Sequence, residues 1–453
     1  MEKPVHVSID IGTTNITLLA LDLKERRVDS YSSVPNQRVQ TGESFAYIQD
    51  PLEIEKSVRS LLSSIHRPIA SICVTGQVHG ILYYKADGEA VSPLYTWLDQ
   101  RGMVPVGSMN SQEALYDETG VLLPAGYGLL THYANRGLHS VPSEAIGFCG
   151  ILEYITGRLV GKILTESDPS CLGPYGAFDP VSLQFDRTVL KAVFGDGRET
   201  FLDAARPFSI AGHTAEGIPV AYAVGDNQAG FFGMVSDWNR SALISIGTSG
   251  QVSLFSKSNC CPGSMELRPF LGEGYLHVGA TLAAGKAYET VKQFLISVLR
   301  SAGNPADDEQ VFALMKEAAS KETSQERLMV DTRFAGTRQN PTLRGSIHNI
   351  GLDNFTLGNL VRGTVEGIIE ELYSFSREAG AIFASVEQIV ATGSSVRKNV
   401  LFSAALNQRF GMPTVIAEIE DGAGFGAALI GAVATGALSV EDVKTIVHDM
   451  LGT

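Results

Sequence analysis

At 453 residues the chain exceeds what one hydrophobic core normally organises, so two domains are expected. Apolar residues at 44% and charged residues at 19% describe a soluble globular chain and exclude a disordered or membrane-embedded one. The 49 acidic against 35 basic residues leave a net charge of −14, which disfavours nucleic acid or anionic lipid as a partner. Any phosphate has to be held locally, by amides, hydroxyls and a metal.

The first element is the most informative. Val7 to Asp22 reads VSIDIGTTNITLLALD, two β-branched strand halves interrupted by a glycine and two threonines. The pattern suits a phosphate-binding hairpin. Asp10 ends the first strand facing a metal, Gly12 lets the backbone approach a polyphosphate, and Thr13 and Thr14 offer hydroxyl and amide donors. An ordinary Gly-Thr turn reads equally well at this point.

Pro51 to Ile65 has helical apolar spacing, and Ile69 to Thr75 is a buried strand ending at Gly76. The loop after it, Val74 to Gly80, brackets Gln77 and His79 between glycines; a lone loop histidine is usually only solvated. Trp97, Asp99 and Arg101 follow, and an aromatic beside hydroxyl-binding groups suits a sugar, although a packing tryptophan and a surface ion pair fit as well. Phe148 to Ile155 is expected as a helix and Pro219 to Val224 as a strand. Asp226 then opens a Gly/Ala-rich helix, where it reads either as an N-cap or as a base for a hydroxyl proton in phosphoryl transfer.

A domain boundary is expected near Asp237 to Arg240, because the opening pattern recurs at Ala242 to Phe255, ALISIGTSGQVSLF. Gly247, Thr248 and Ser249 align with Gly12, Thr13 and Thr14. Ser245 replaces Asp10, so a single metal carboxylate belongs to the first copy. Pro305 to Leu328 reads as a charge-rich surface helix with Val311, Leu314, Met315 and Ala318 as its stripe. Leu357 to Phe375 is the clearest helix, and Gln388 to Ala391 is a strand. Gly422 to Val440 is uncharged, but weakly hydrophobic and without a basic flank, so it reads as a closely packed buried helix. The five cysteines show no C-x-x-C spacing, which argues against a disulfide framework or zinc site and for reduced thiols in a cytoplasmic setting. The N-terminus enters its strand too early for a signal peptide.

Taken in order, SIDIGTTNIT, VTGQVHGILYY, YTWLDQR, AVGDNQAGFFG, SIGTSGQVSLF, FAGTRQNPTLRGSIHNIGL, VATGSSVRKN and the Gly/Ala helix after Asp421 resemble a carbohydrate kinase of the FGGY family. This family lies within the actin, chaperone and sugar-kinase superfamily. The resemblance implies an α/β chain of two actin-like (ribonuclease H-like) domains, residues 1–239 with the sugar and catalytic base and 240–453 with the nucleotide, and a catalytic cleft between them. It implies ATP and Mg2+ as cofactors and a small-molecule sugar as partner, with neither nucleic acid nor membrane; a homodimer is the one protein assembly considered. Carried over by motif, Asp226 is the general base and Asp10 helps hold magnesium. Gly12, Thr13, Thr14, Gly247, Thr248 and Ser249 hold phosphates, and Gly285, Gly393, Ser394 and Asn399 lie at the nucleoside. Gln77, His79 and Asn227 contact substrate hydroxyls, with Trp97 and Asp99 bordering the pocket.

Within the family the resemblance is nearest to ketose kinases acting on sedoheptulose, then to those acting on xylulose. The segment HYANRG after Thr131 lacks the customary lysine and tryptophan. Competing readings are a chaperone-type ATPase, which needs a long substrate-binding region that does not follow here, and a non-catalytic sugar sensor, which would often have lost Asp10 or Asp226.

Overall fold

The computed structural model describes residues 3–197, 200–337, 340 and 342–453. Arg338, Gln339 and Pro341, within the stretch FAGTRQNPTLRGSIHNIGL, lie outside the described residues. The chain forms two compact units, Met1–Gly233 with Arg268–Gly274 and Asp421–Met450, and Met234–Leu267 with Tyr275–Glu420 and Leu451–Thr453.

In the first unit β1 (Val5–Ile11), β2 (Asn15–Asp22) and β3 (Arg27–Pro35) form an antiparallel meander. Helix α1 (Pro51–Ser63) starts where the Asp50 carboxylate accepts the amides of Leu52 and Glu53 and Pro51 supplies a preset φ. It buries Ile54, Val58 and Leu61. The chain then crosses over to β4 (Ile69–Gly76), which lies parallel to β1 with Asp10 opposite Thr75 and Ile11 opposite Gly76. Helix α2 (Ile151–Val160), β5 (Ile210–His213), β6 (Pro219–Ala221), β7 (Val224–Gly225) and α3 (Asp226–Met234) complete the half. The strand order is β5-β6-β4-β1-β2-β3, with β7 also pairing β4. The odd-numbered side chains of β1, Val5, Val7, Ile9 and Ile11, share a core with α1 and α2.

The second unit repeats the scheme. Strands β8 (Ser241–Ile246) and β9 (Gly250–Ser256) form its hairpin, followed by β10 (Glu266–Phe270, of which Glu266 and Leu267 belong to this unit), β11 (Gly274–Thr281), α4 (Gly285–Ser301), α5 (Asp308–Lys321), α6 (Leu357–Glu378), β12 (Gln388–Thr392), α7 (Val400–Phe410) and β13 (Thr414–Ile416). The sheet order is β10-β11-β9-β8-β12-β13, and β12 runs parallel to β8 with Ser245 opposite Thr392. From the hairpin outwards the two sheets have the same directions and the same crossover. Gly76 (φ +139°) and Gly393 (φ +102°) occupy corresponding places in the two copies, Gly76 as the last residue of β4 and Gly393 as the first after β12. A Cβ on either would lie 2.4 Å from a backbone oxygen, that of Ile11 or of Ile246, so only glycine lets the strand end press against the hairpin turn.

Helix α8 (Gly422–Ala434) returns to the first unit and packs on β1, β2 and β4. It meets the face of the sheet that carries small polar residues, with His6 Nδ1 2.8 Å from Ser71 Oγ. A Cβ on Gly431 would lie 2.7 Å from Ser71 Oγ, which explains why this helix is built of glycine and alanine. Among the described residues no helix is long and apolar enough to cross a membrane.

Three sequence expectations shift. Phe148 and Cys149 belong to a strand, Gly147–Cys149, paired with Leu82–Tyr84, and the helix starts after the Gly150 cap. The stretch expected as a strand from Pro219 to Val224 is interrupted, with β6 ending at Ala221 and β7 covering Val224 and Gly225. Helix α5 is shorter than Pro305 to Leu328, because the Asp307–Gln310 capping box fixes its start; it buries Val311, Met315 and Ala319 and leaves Leu314 exposed.

Candidate active site

Three carboxylates of the first unit converge. Asp10 sits one residue from the end of β1, Asp226 follows β7 directly, and Asp421 caps α8, accepting the Gly424 amide at 2.6 Å and the Thr17 hydroxyl at 2.5 Å. Burial, the negative charges of Asp421 and Asp226, and a hydrogen bond to Asp421 push the Asp10 carboxyl well above its ordinary value. The surrounding protein also raises that of Asp226, although solvent reaches its side chain; Arg268 and the Asn227 amide, 2.7 Å from Oδ1, pull partly back. Arg268 lies in the segment Arg268–Gly274 of the same unit, which is held to α3 where Gln228 Nε2 donates to the Pro269 carbonyl at 3.3 Å.

The Gly12 turn is tied to the loop carrying Gln77. The Gln77 amide donates to the Ile11 carbonyl at 2.8 Å, and Asn36 Nδ2 donates to the Gly12 carbonyl at 2.8 Å. Thr13 Oγ1 donates to Gln77 Oε1 (3.3 Å) and accepts from Trp97 Nε1 (3.0 Å), while Thr14 is exposed. The hydroxyl proton of Thr13 is therefore engaged within the protein, and its backbone amide is the donor it retains towards a phosphate.

His79 holds φ at 65°, and its ring lies 4.5 Å from that of Tyr127. Its Nδ1 is 3.0 Å from the Pro174 carbonyl, which can only accept, so Nδ1 donates and fixes the direction of the ring. Asn227 is buried next to Asp226. Trp97 is 41% exposed, whereas the Asp99–Arg101 pair, read from sequence as sugar-bordering or as a surface pair, is buried. Asp99 accepts from Arg101 Nε (2.7 Å) and Nη2 (3.0 Å) and from the Tyr47 amide (3.0 Å), so its carboxylate is spent on holding the loop that presents Trp97.

In the second unit the Gly247 amide donates to the Ser249 carbonyl at 3.0 Å, closing the turn around exposed Thr248. The start of α4 docks on that turn, Gly285 N to Gly247 O at 2.9 Å and Lys286 N to Thr248 O at 3.1 Å. Gly393 and exposed Ser394 follow β12, and buried Asn399 caps α7 by accepting the Leu401 amide at 3.1 Å. Tyr288 of α4 lies beside Asn399, and burial pushes its phenol up to about 12.

Reading the sequence alone missed Arg268 and Gln49 and noticed Asp421 only as the start of a helix. Arg268 and Gln49 stand in no recognisable motif; a cap residue such as Asp421 could have been weighed as Asp226 was.

A duplicated α/β fold with a Gly-Thr turn in each copy and carboxylates at the ends of β1 and β7 defines an actin-like phosphoryl-transfer enzyme. The chain belongs to the FGGY family of carbohydrate kinases: the family's N-terminal domain matches residues 5–233 and its C-terminal domain residues 242–435. It is an ATP-dependent sugar kinase. It is 23% identical to a sedoheptulokinase from Mus musculus, over 94% of this chain and 97% of that one. It is 24% identical to a xylulose kinase from Staphylococcus xylosus, over 94% and 90%. A ligand-bound xylulose kinase from Lactobacillus acidophilus has the same fold, with a TM-score of 0.81 at 19% identity over 98% of this chain and 92% of that one.

Proposed function

We propose that the enzyme transfers the γ-phosphoryl group of ATP to a hydroxyl of a ketose, with sedoheptulose preferred. The observation that carries this reading is the His79 ring, oriented by its Nδ1 bond to the Pro174 carbonyl on the loop bonded to the Gly12 turn. Both relatives are named for ketoses, and the sedoheptulokinase is matched over more of its length. Asn227 beside the base favours xylulose as the second reading.

In this scheme Asp226 takes the proton of the attacking hydroxyl at its carboxylate, while Gln77, His79 and Asn227 orient the sugar. Trp97 walls the pocket, and Asp99 positions it from behind. The backbone amides of Gly12, Thr13, Thr14, Gly247, Thr248 and Ser249 hold phosphates, with the hydroxyls of Thr14, Thr248 and Ser249 beside them. Gly285, Gly393, Ser394 and Asn399 serve the nucleoside, so that residues 1–239 carry the sugar and base and 240–453 the nucleotide.

The residues fit magnesium. Burial, with the neighbouring charges of Asp421 and Asp226, raises the Asp10 carboxyl, and a hard cation beside it would offset both. Magnesium is commonly held by one or two carboxylates together with substrate phosphates, and here Asp10 would supply the carboxylate. When bound, the ion neutralises charge on the β- and γ-phosphates. The test is ADP release from MgATP against a panel of ketoses, aldoses and polyols. Turnover of glycerol or an aldose matching the best ketose would sink the ketose assignment.

A further inference from the structure

We propose that Gln49 is a positioning residue that locks the sugar loop and the phosphate turn of the first unit into one body, with the Thr13 hydroxyl as the latch. This rests on the sugar-kinase reading of the site. Gln49 lies on a two-residue strand before α1, far in sequence from both segments, and is completely buried. Its side chain is fully used: Nε2 donates to the Thr13 carbonyl at 2.9 Å and to the Asn36 carbonyl at 3.4 Å, and Oε1 accepts from Gln77 Nε2 at 2.8 Å. Thr13 Oγ1 closes the ring through Gln77 Oε1 and receives Trp97 Nε1 from the far side of the pocket. Asn36 in turn holds the Gly12 carbonyl.

The chain of bonds therefore runs from Trp97, at the pocket wall, through Thr13 and Gln77 to Gln49 and back to the turn at Gly12. Buried amides and hydroxyls bonded in a closed set hold one geometry, because moving any member leaves another unpaired away from water. A sugar pressing on Trp97 or Gln77 acts directly on the backbone that is to meet the γ-phosphate. In-line transfer depends on that alignment. The lock predicts an effect on turnover that is shared among Gln49, Thr13 and Trp97 and does not belong to any one of them.

The experiment is a double-mutant cycle on the full-length enzyme with its best ketose and MgATP. Gln49→Leu keeps bulk and removes all three bonds; Trp97→Phe keeps the ring and removes Nε1–H. Each is expected to lower kcat about tenfold and to raise ADP released per sugar phosphorylated, as water competes in a misaligned site. The double variant should be about as slow as the worse single one. Effects that multiply, or a folded Gln49→Leu with wild-type kcat and product ratio, overturn the lock. If Gln49→Leu fails to fold by circular dichroism, Thr13→Val with Trp97→Phe provides the same cycle, read the same way. A wild-type enzyme inactive on every sugar overturns the functional reading and the lock with it, whereas multiplying effects in an active enzyme overturn the lock alone.

Discussion

Replacing Gly393 by alanine tests whether the second unit's turn is a nucleotide site, and the structure sets the size of the effect. The residue holds φ at +102°, where an L side chain carries strain of roughly 1–2 kcal/mol. The new Cβ would stand 2.4, 2.7 and 2.9 Å from the oxygen, carbon and nitrogen of Ile246, which are backbone atoms with no rotamer to yield. Relieving such overpacking costs about 1–3 kcal/mol, so the sum is roughly 2–5 kcal/mol. Gly411, which caps α7 at φ +67° and where an added Cβ would meet nothing within 4 Å, is the control: its alanine variant carries the conformational cost alone, about 1 kcal/mol. Urea denaturation gives the stability difference. Calorimetric titration with ATP gives the functional one, because relief of the clash moves Ile246 and with it Gly247, and should weaken ATP binding about tenfold or more while Gly411→Ala leaves it unchanged. Equal stability costs for the two variants would refute the packing argument; a destabilised Gly393→Ala with wild-type ATP affinity would remove the turn from the nucleotide site.

Asp226→Asn should lower sugar-dependent turnover by about 10²–10⁴-fold without loss of thermal stability, since folding already disfavours its charged form; wild-type turnover in the purified variant would leave Asp226 as a helix cap only. The same raised carboxyl sets the acid limb of kcat/KM above the ordinary carboxylate range, with activity falling as pH drops, and a limb near the free-carboxylate value would contradict this. Asp10, raised further, binds its proton more tightly folded than unfolded, so without magnesium stability falls as pH rises from the ordinary carboxylate pKa to the raised one. Asp10→Asn should flatten that slope in thermal melts and melt no lower than wild type at pH 7, and an unaltered slope would count against the assignment. His79→Ala should raise KM for sugar about fivefold, the loss of a hydrogen bond worth about 1 kcal/mol, with KM for ATP unmoved.

The hairpins, the crossover strands and the long helices were legible in the sequence because each is a local pattern: alternating β-branched residues, a Gly-Thr turn, an apolar stripe with a cap. The recurrence of the turn at Gly247 carried the duplication. What could not be read was decided by distant partners. Phe148 and Cys149 form a strand because Tyr83 and Leu82 lie alongside to pair with them, and Leu314 is exposed while Ala319 is buried because α5 rests on α6. In the site, the Asp226 environment depends on Arg268, the hold on the Thr13 carbonyl on Gln49 and that on its hydroxyl on Trp97, none of which is a neighbour in sequence. Spacing singled out candidate groups for chemistry; it did not show which distant side chains hold them in place.

The bond between Thr17 and Asp421 spans 404 positions, and α8 covers strands that precede it by nearly the whole of the second unit. The first unit therefore remains without one face of its sheet until residues 234–420, which supply most of the second unit, have emerged as an almost unbroken run. Domains generally fold as units and contacts of long sequence separation form late. The order of birth and the order of folding of the two units are thus opposed: the one begun first is finished last, and the third carboxylate of the cluster arrives only when α8 closes over β1. A nascent chain stopped short of Asp421 has the Gly12 turn but not the full carboxylate cluster beside it.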